Sequence, residues 1–282
     1  MLLERMVDKK VVGQMTSEVR HGFTMLGLLI TMACIIGLFV ILASSINKRV
    51  TGEGNTREGT INSFQDQMNL NTIHKGMTMA ALSNNGDYLI PSKVARSRDW
   101  SLNTTANLYA MLMHQRWIAA ENLISPNDYG NVELYNGMAE YSNPQRGDSS
   151  VPWSTAFKAD LSRVSNTSYA HMPLIGDRFD QRWNNNRAQR FPLFGTRGPL
   201  DGRPNPDSYT YGADGTWAGW VVMADGSIQH ISSFSPPSVG YSGMNGPGSD
   251  NIYAMEEGIY GGDAILTFTK SISEDDLEIQ HD

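Results

Sequence analysis

The chain has 282 residues, a formal net charge of −7, 18% charged and 40% hydrophobic residues. That balance suits a globular body with one apolar segment; it argues against a multi-span membrane protein and against wide nucleic-acid binding. The sole cysteine, Cys34, leaves no intrachain disulfide and no cysteine-based metal site, while 27 glycines with abundant Asn, Ser and Pro predict a loop-rich body with short strands.

In chain order, the first feature is the apolar run Phe23–Ile46, 24 residues without Asp, Glu, Lys, Arg or His. As a helix it would be about 36 Å long, enough to cross a hydrocarbon core of roughly 30 Å. Asn47, Lys48 and Arg49 mark its exit. A buried core helix is the bland alternative, but core helices are shorter and polar on one side. A secretory signal is the other, with Ala43–Ser45 as a small-residue cleavage site; its apolar region normally has about 7–15 residues. The charges flanking the run do not orient it.

The junction "RHGFTMLG", Arg20–Gly27, resembles the prepilin cleavage site of type IV pilins and type II secretion pseudopilins. The resemblance implies that a prepilin peptidase cuts between Gly22 and Phe23 and that Phe23 becomes the methylated N-terminus. It also implies a cytoplasmic leader, an apolar segment among membrane lipids, and other pilin-like subunits as partners. The family usually carries Glu as the fifth mature residue; Gly27 stands there. An ionised group in lipid is costly unless paired, so the Phe23 ammonium lacks the family's partner, which weakens the expectation of a major filament subunit.

"VTGEGNTREGT", Val50–Thr60, has three glycines and mixed charges, and predicts a hinge. Ile61, Phe64, Met68, Ile73, Met77 and Leu82 then fit one apolar helix face loosely, and Asn84–Gly86 stops the helix. Met68–Ser92 resembles the block after the anchor in the large pilin-like family of Planctomycetes and relatives, through Asn69, Leu70, Ile73, Ala81, Asn85, Gly86, Tyr88 and Pro91. The expected domains are a leader over 1–22, a transmembrane helix over 23–46, a hinge and amphipathic helix over 47–85, and an extracytoplasmic globular head over 86–282.

Within the head, Thr104–Ser125 reads as a helix burying Leu108, Met111, Leu112, Trp117 and Ile118. Tyr129–Arg203 reads as irregular, with one strand at Ser168–Leu174. Its "RFDQRWNNNRAQR", from Arg178, reads as a solvated basic loop or a binding surface. In "GWVVMADGSIQHI", Gly219–Ile231, two strand-like runs flank Asp225-Gly226, which predicts a two-residue hairpin turn with positive φ at both positions. The same pilin-like family ends with such a hairpin, preceded by a histidine; Gly215 occupies that position. Ala264–Ser271 reads as a strand, and "SEDDLEIQHD" as a solvated acidic tail.

The six histidines show no metal-ligand spacing, and there is no phosphate loop, dinucleotide fingerprint or Gly-x-Ser-x-Gly elbow. No cofactor, metal or catalytic residue is expected. The expected architecture is α+β: a long N-terminal transmembrane helix, hinged near 50–60, followed by a globular head with a small antiparallel sheet. The expected function is that of a pilin-like structural subunit, a minor or tip one being possible, in the cytoplasmic membrane with its head outside. The alternative is a membrane-anchored binding module that does not polymerise.

Overall fold

The longest described element, α1 (Arg57–Leu82), is a helix of 26 residues with a partly polar inner face. Leu70, Ile73, Met77 and Ala81 are buried, but so are Ser63, Asp66, Asn69 and His74. The expected apolar face is split: Ile73 and Met77 point inward, whereas Phe64 is 61% and Leu82 75% exposed. The cause lies in the spacing. The steps from Met68 to Ile73 and from Met77 to Leu82 are five residues, and a five-residue step overshoots a full turn by about 140°.

The computed structural model describes residues 57–128, 130–137, 151–185, 191–203, 217–240, 248–273 and 275–282. All belong to the unit Glu53–Asp282. The expected fold with a long N-terminal transmembrane helix is corrected here: among the described residues no helix is long and apolar enough to cross a membrane. Helix α1 has the length, roughly 39 Å, but carries Arg57, Glu58, Asp66 and Lys75. The run Phe23–Ile46 lies outside the described residues, as does most of the expected hinge; Arg57–Thr60 are already helical.

Helix α1 ends at the Asn-Gly turn expected for it. Asn85 and Gly86 have φ of 54° and 91°, and the Gly86 N–H donates back to the Ala81 carbonyl at 3.0 Å, a C-terminal closure that uses the left-handed conformation. Next come a one-turn helix, α2 (Pro91–Val94), and α3 (Thr105–His114), whose first turn is capped by the Thr104 hydroxyl accepting from the Asn107 N–H. The helix expected to reach Ser125 stops at His114; Ala120–Leu123 form a separate 3₁₀ turn. Leu108, Met111, Leu112 and Ile118 are buried as expected, and Trp117 is partly so.

Four strands form an antiparallel meander in the order β1 (Tyr169–His171), β2 (Pro192–Thr196), β3 (Gly219–Met223) and β4 (Ile228–Ile231). Between β1 and β2 lies α4 (Gly176–Arg182). A second antiparallel pair, β5 (Phe268–Ile272) and β6 (Leu277–Gln280), closes the chain. His171 and Thr267 exchange backbone hydrogen bonds of 3.2 and 3.0 Å and join that pair to the edge of the meander. The acidic tail expected to be solvated therefore supplies a strand. Its last side chain, Asp282, is buried in an ion pair with Arg197 at 2.7 Å.

The β3–β4 hairpin forms as expected, with different turn geometry. Met223 and Ser227 pair, leaving a three-residue loop: the Gly226 N–H donates to the Met223 carbonyl, and the Ser227 N–H to the Asp225 carboxylate at 2.8 Å. Gly226 has φ of 83°, while Asp225 is not among the residues with positive φ. A turn followed by one left-handed residue is the usual three-residue solution. Val221, Val222, Met223 and Ala224 are all buried, so both faces of β3 are covered.

Helix α1 is fixed to this frame by Asp66. Its carboxylate accepts from the Tyr169 hydroxyl, from Ser125 Oγ at 2.9 Å and from Asn127 Nδ2 at 3.3 Å. Burial pushes this carboxyl up to about 6, against the lowering effect of those three hydrogen bonds.

Two predictions follow from these contacts. Gly226→Val places a β-branched residue at positive φ and should lower stability by about 1 kcal/mol or more through backbone strain; an unchanged thermal melt would contradict the turn. For Asp66, the folded pKa of about 6 exceeds the ordinary 3.8, so its contribution to stability is complete below about pH 4 and is lost as pH rises through 6. Asp250, raised to about 6 by burial and by Asp263 and Glu256, acts in the same direction. His171 and His281, each lowered to about 4 by burial, act in the opposite one. The informative quantity is thus the difference in urea unfolding free energy between the wild type and Asp66→Asn. It should shift in favour of the variant by up to roughly 3 kcal/mol between pH 4 and pH 8. A difference that stays flat across that range would show that Asp66 is not held in this way.

Candidate functional site

The three residues expected at the processing junction, Gly22, Phe23 and Gly27, lie outside the described residues, as does Gly215. Asp225 and Gly226 are structural: they close the hairpin, and a Cβ at Gly226 would come within 3.2 Å of the His74 ring on α1. The site that the geometry does bring together is elsewhere, and it draws on four separate segments.

A cavity of about 470 Å³ is lined by Trp100, Phe179 and Tyr260, with Asp177, Asp180 and Asp275. Trp100 opens a 3₁₀ turn capped by Asp99, whose carboxylate accepts from the Ser101 N–H at 2.9 Å. Its ring meets that of Phe179 edge to face, with centroids 5.8 Å apart and planes at 89°. Phe179 and the two aspartates Asp177 and Asp180 sit on α4. Tyr260 comes from the loop 258–263, and Asp275 from the β5–β6 turn.

The glycine-rich loop carrying Tyr260 has no ladder to satisfy its carbonyls, and Arg178 supplies the donors. The Arg178 side chain is fully buried. Its Nε donates to the Asp263 carbonyl at 3.1 Å, Nη1 to the Ile259 carbonyl at 2.8 Å, and Nη2 to the Gly258 carbonyl at 2.9 Å and to the Asp263 carboxylate. The α4 backbone adds two bonds, Asp177 N–H to the Tyr260 carbonyl at 3.0 Å and Arg178 N–H to the Gly261 carbonyl at 3.1 Å. This approach is close enough to exclude a side chain at Gly176: φ there is +80°, and a Cβ would lie 2.7 Å from the Ile259 oxygen. Below the cavity, Ile175 packs with Ile272 and Leu277 in a small apolar cluster.

The segment expected to be a solvated basic loop or a binding surface thus divides. Arg178 and Trp183 are buried, whereas Phe179 and Asp180 line the cavity. Trp100, Tyr260 and Asp275 were not expected at a site. Trp100 is 37% and Tyr260 57% exposed; the signal each offers in sequence is an aromatic set among charges or glycines in a loop, "RDW" and "GIYGGD". Ser273, the hydroxyl at the cavity, is engaged in its own turn, accepting from the Asp276 N–H at 3.0 Å. Among the described residues, no group of three or more His, Cys, Asp or Glu is arranged to hold a metal ion. The arrangement is chemically that of a binding pocket: rigid aromatic walls under a rim of carboxylates.

Comparison with known proteins finds no matching protein family, no matching curated protein and no matching solved structure.

Arg178→Met should cost about 3–5 kcal/mol, because it strands the Asp263 carboxylate without its cation. Adding Asp263→Asn should recover part of the loss. Hydrogen exchange should quicken first at residues 258–263. A variant that keeps wild-type stability and exchange in this loop would show that Arg178 does not hold the pocket wall.

Proposed function

We propose that the chain is a pilin-like structural subunit, acting beside other subunits of a type IV pilus or a type II secretion-like system. The observation that carries this reading is the junction "HGFTMLG" at the head of 24 uncharged residues, Phe23–Ile46. A prepilin peptidase would cut between Gly22 and Phe23, and the uncharged segment would keep the subunit at the cytoplasmic membrane with its body outside. A long helix laid against an antiparallel meander supports a structural role, since α1 contacts β2, β3 and β4. Gly27 supports a minor role: without a carboxylate at the fifth mature position, the Phe23 ammonium needs a partner from another subunit.

The pocket favours a second reading, a membrane-held binding module that does not polymerise. The two differ in where the protein is recovered, with filaments sheared from cells or with membranes only.

The test of processing is mass spectrometry of the mature protein. It should begin at Phe23 and carry one added methyl group, and Gly22→Leu should leave the uncleaved precursor. A mature N-terminus near Ile46 would mean that a signal peptidase acts instead, and the subunit reading would fall.

A further inference from the structure

The pocket's chemistry stands apart from the subunit reading, and it selects a class of ligand. We infer that the cavity between Trp100, Phe179 and Tyr260 binds an organic cation, the alkylammonium head of a small amine or of a lysine side chain.

Aromatic faces attract a cation through the ring quadrupole, and Trp does so best. Here a Trp, a Phe and a Tyr line one cavity; Trp100 and Phe179 meet edge to face, and the Tyr260 backbone is bonded to α4. Carboxylates at the mouth add long-range attraction and neutralise the guest. None of Asp177, Asp180 and Asp275 forms a side-chain ion pair or hydrogen bond with another described residue. The cations close to them in sequence are engaged elsewhere: Arg178 is buried against Asp263, Arg182 lies over the Phe191 ring at 5.5 Å, and Lys270 pairs with Glu278 at 2.8 Å. Among the described residues these three carboxylates are therefore unpaired beside aromatic surface. A volume of about 470 Å³ lies in the range of small-molecule pockets and accepts a trimethylammonium group or the end of a lysine side chain. A metal ion is a poorer guest, because among the described residues no three carboxylates converge to ligate one.

The experiment is calorimetric titration of the full chain, kept in non-ionic detergent, with four probes. Choline represents a free small amine, and N-acetyl-lysine amide a peptide side chain. The control 3,3-dimethylbutanol has choline's shape without its charge, and glucose tests a neutral sugar that would stack on the same rings. One of the two cations should bind saturably and at least about fivefold more tightly than dimethylbutanol; whichever is tighter identifies the source of the ammonium. Trp100→Ala should weaken binding about tenfold. The triple variant Asp177→Asn, Asp180→Asn, Asp275→Asn changes only exposed side chains. It should keep the wild-type melt while losing both affinity and the weakening that added salt causes in the wild type. Equal binding of dimethylbutanol, binding of glucose in place of the cations, no saturable binding of either cation, or binding that survives the triple variant would each overturn the proposal.

Discussion

Asp66 imposes the central constraint on this fold. A carboxyl on the inner face of α1 has been taken out of water, and its three donors come from two different places: Tyr169 on β1, and Ser125 and Asn127 on the turn that follows the 3₁₀ segment. An apolar helix face can slide or rotate over a core at little cost. A buried acceptor cannot, because losing its donors exposes the full desolvation penalty. Asn69, one turn on, repeats the arrangement by donating to the Ile124 carbonyl at 2.9 Å and to the Tyr169 hydroxyl at 3.0 Å. The rotation of α1 about its own axis is thus set by polar groups, and the exposure of Phe64 and Leu82 is its consequence.

Strand β1 has three residues, yet it is the node through which the elements communicate. The Tyr109 hydroxyl of α3 donates to the Tyr169 carbonyl at 3.0 Å. At the other end, His171 Nδ1 donates to the Met172 carbonyl at 2.7 Å, which leaves Nε2 as an acceptor for the Thr105 hydroxyl at 2.8 Å. That hydroxyl in turn accepts from the Thr269 N–H at 2.7 Å. The tautomer of one buried imidazole therefore connects β1, α3 and β5. A charged imidazole would present a second donor where the Thr105 hydroxyl already donates, and burial, which lowers this histidine to about 4, keeps it neutral. Such a network tolerates a short strand because each of its bonds holds the geometry of the next.

Much of this organisation was legible locally and little of it globally. The Asn85-Gly86 stop, the Asp225-Gly226 hairpin and the apolar face of Thr105–His114 follow from turn chemistry and periodicity, which act over a few residues. The inner face of α1 did not follow, because periodicity counts apolar residues and this face is partly built from Asp66 and Asn69. Strand β2 was hidden for a related reason: Pro192, Phe191 and Gly195 read as irregular, and the strand exists because β1 and β3 pair with both of its edges. The acidic tail misled through charge. Asp275 and Asp276 lie at the β5–β6 turn, whereas Leu277 and the Asp282 side chain are buried. The pocket was the least legible feature, since its six aromatic and acidic lining side chains come from segments between residues 100 and 275 that only the fold assembles.

The way the pocket wall is built bears on what it can do. A loop with three glycines between residues 254 and 263 would ordinarily be mobile, and mobile aromatic walls make poor recognition surfaces because ordering them costs free energy at each binding event. Arg178 removes that cost in advance. Its guanidinium meets three loop carbonyls and one carboxylate, a match of planar donors to acceptors that Lys could not reproduce. Burying an ion pair rarely adds net stability over an apolar core, so stability alone gives a weak reason for Arg178 and Asp263 to be fully enclosed. Pre-organisation gives a better one. The same backbone contacts that make Gly176 obligatory bring Tyr260 against α4, and α4 carries Phe179 and both of its aspartates. A single buried arginine thereby couples the position of the aromatic wall to that of the charged rim, which is what a site selective for both shape and charge requires.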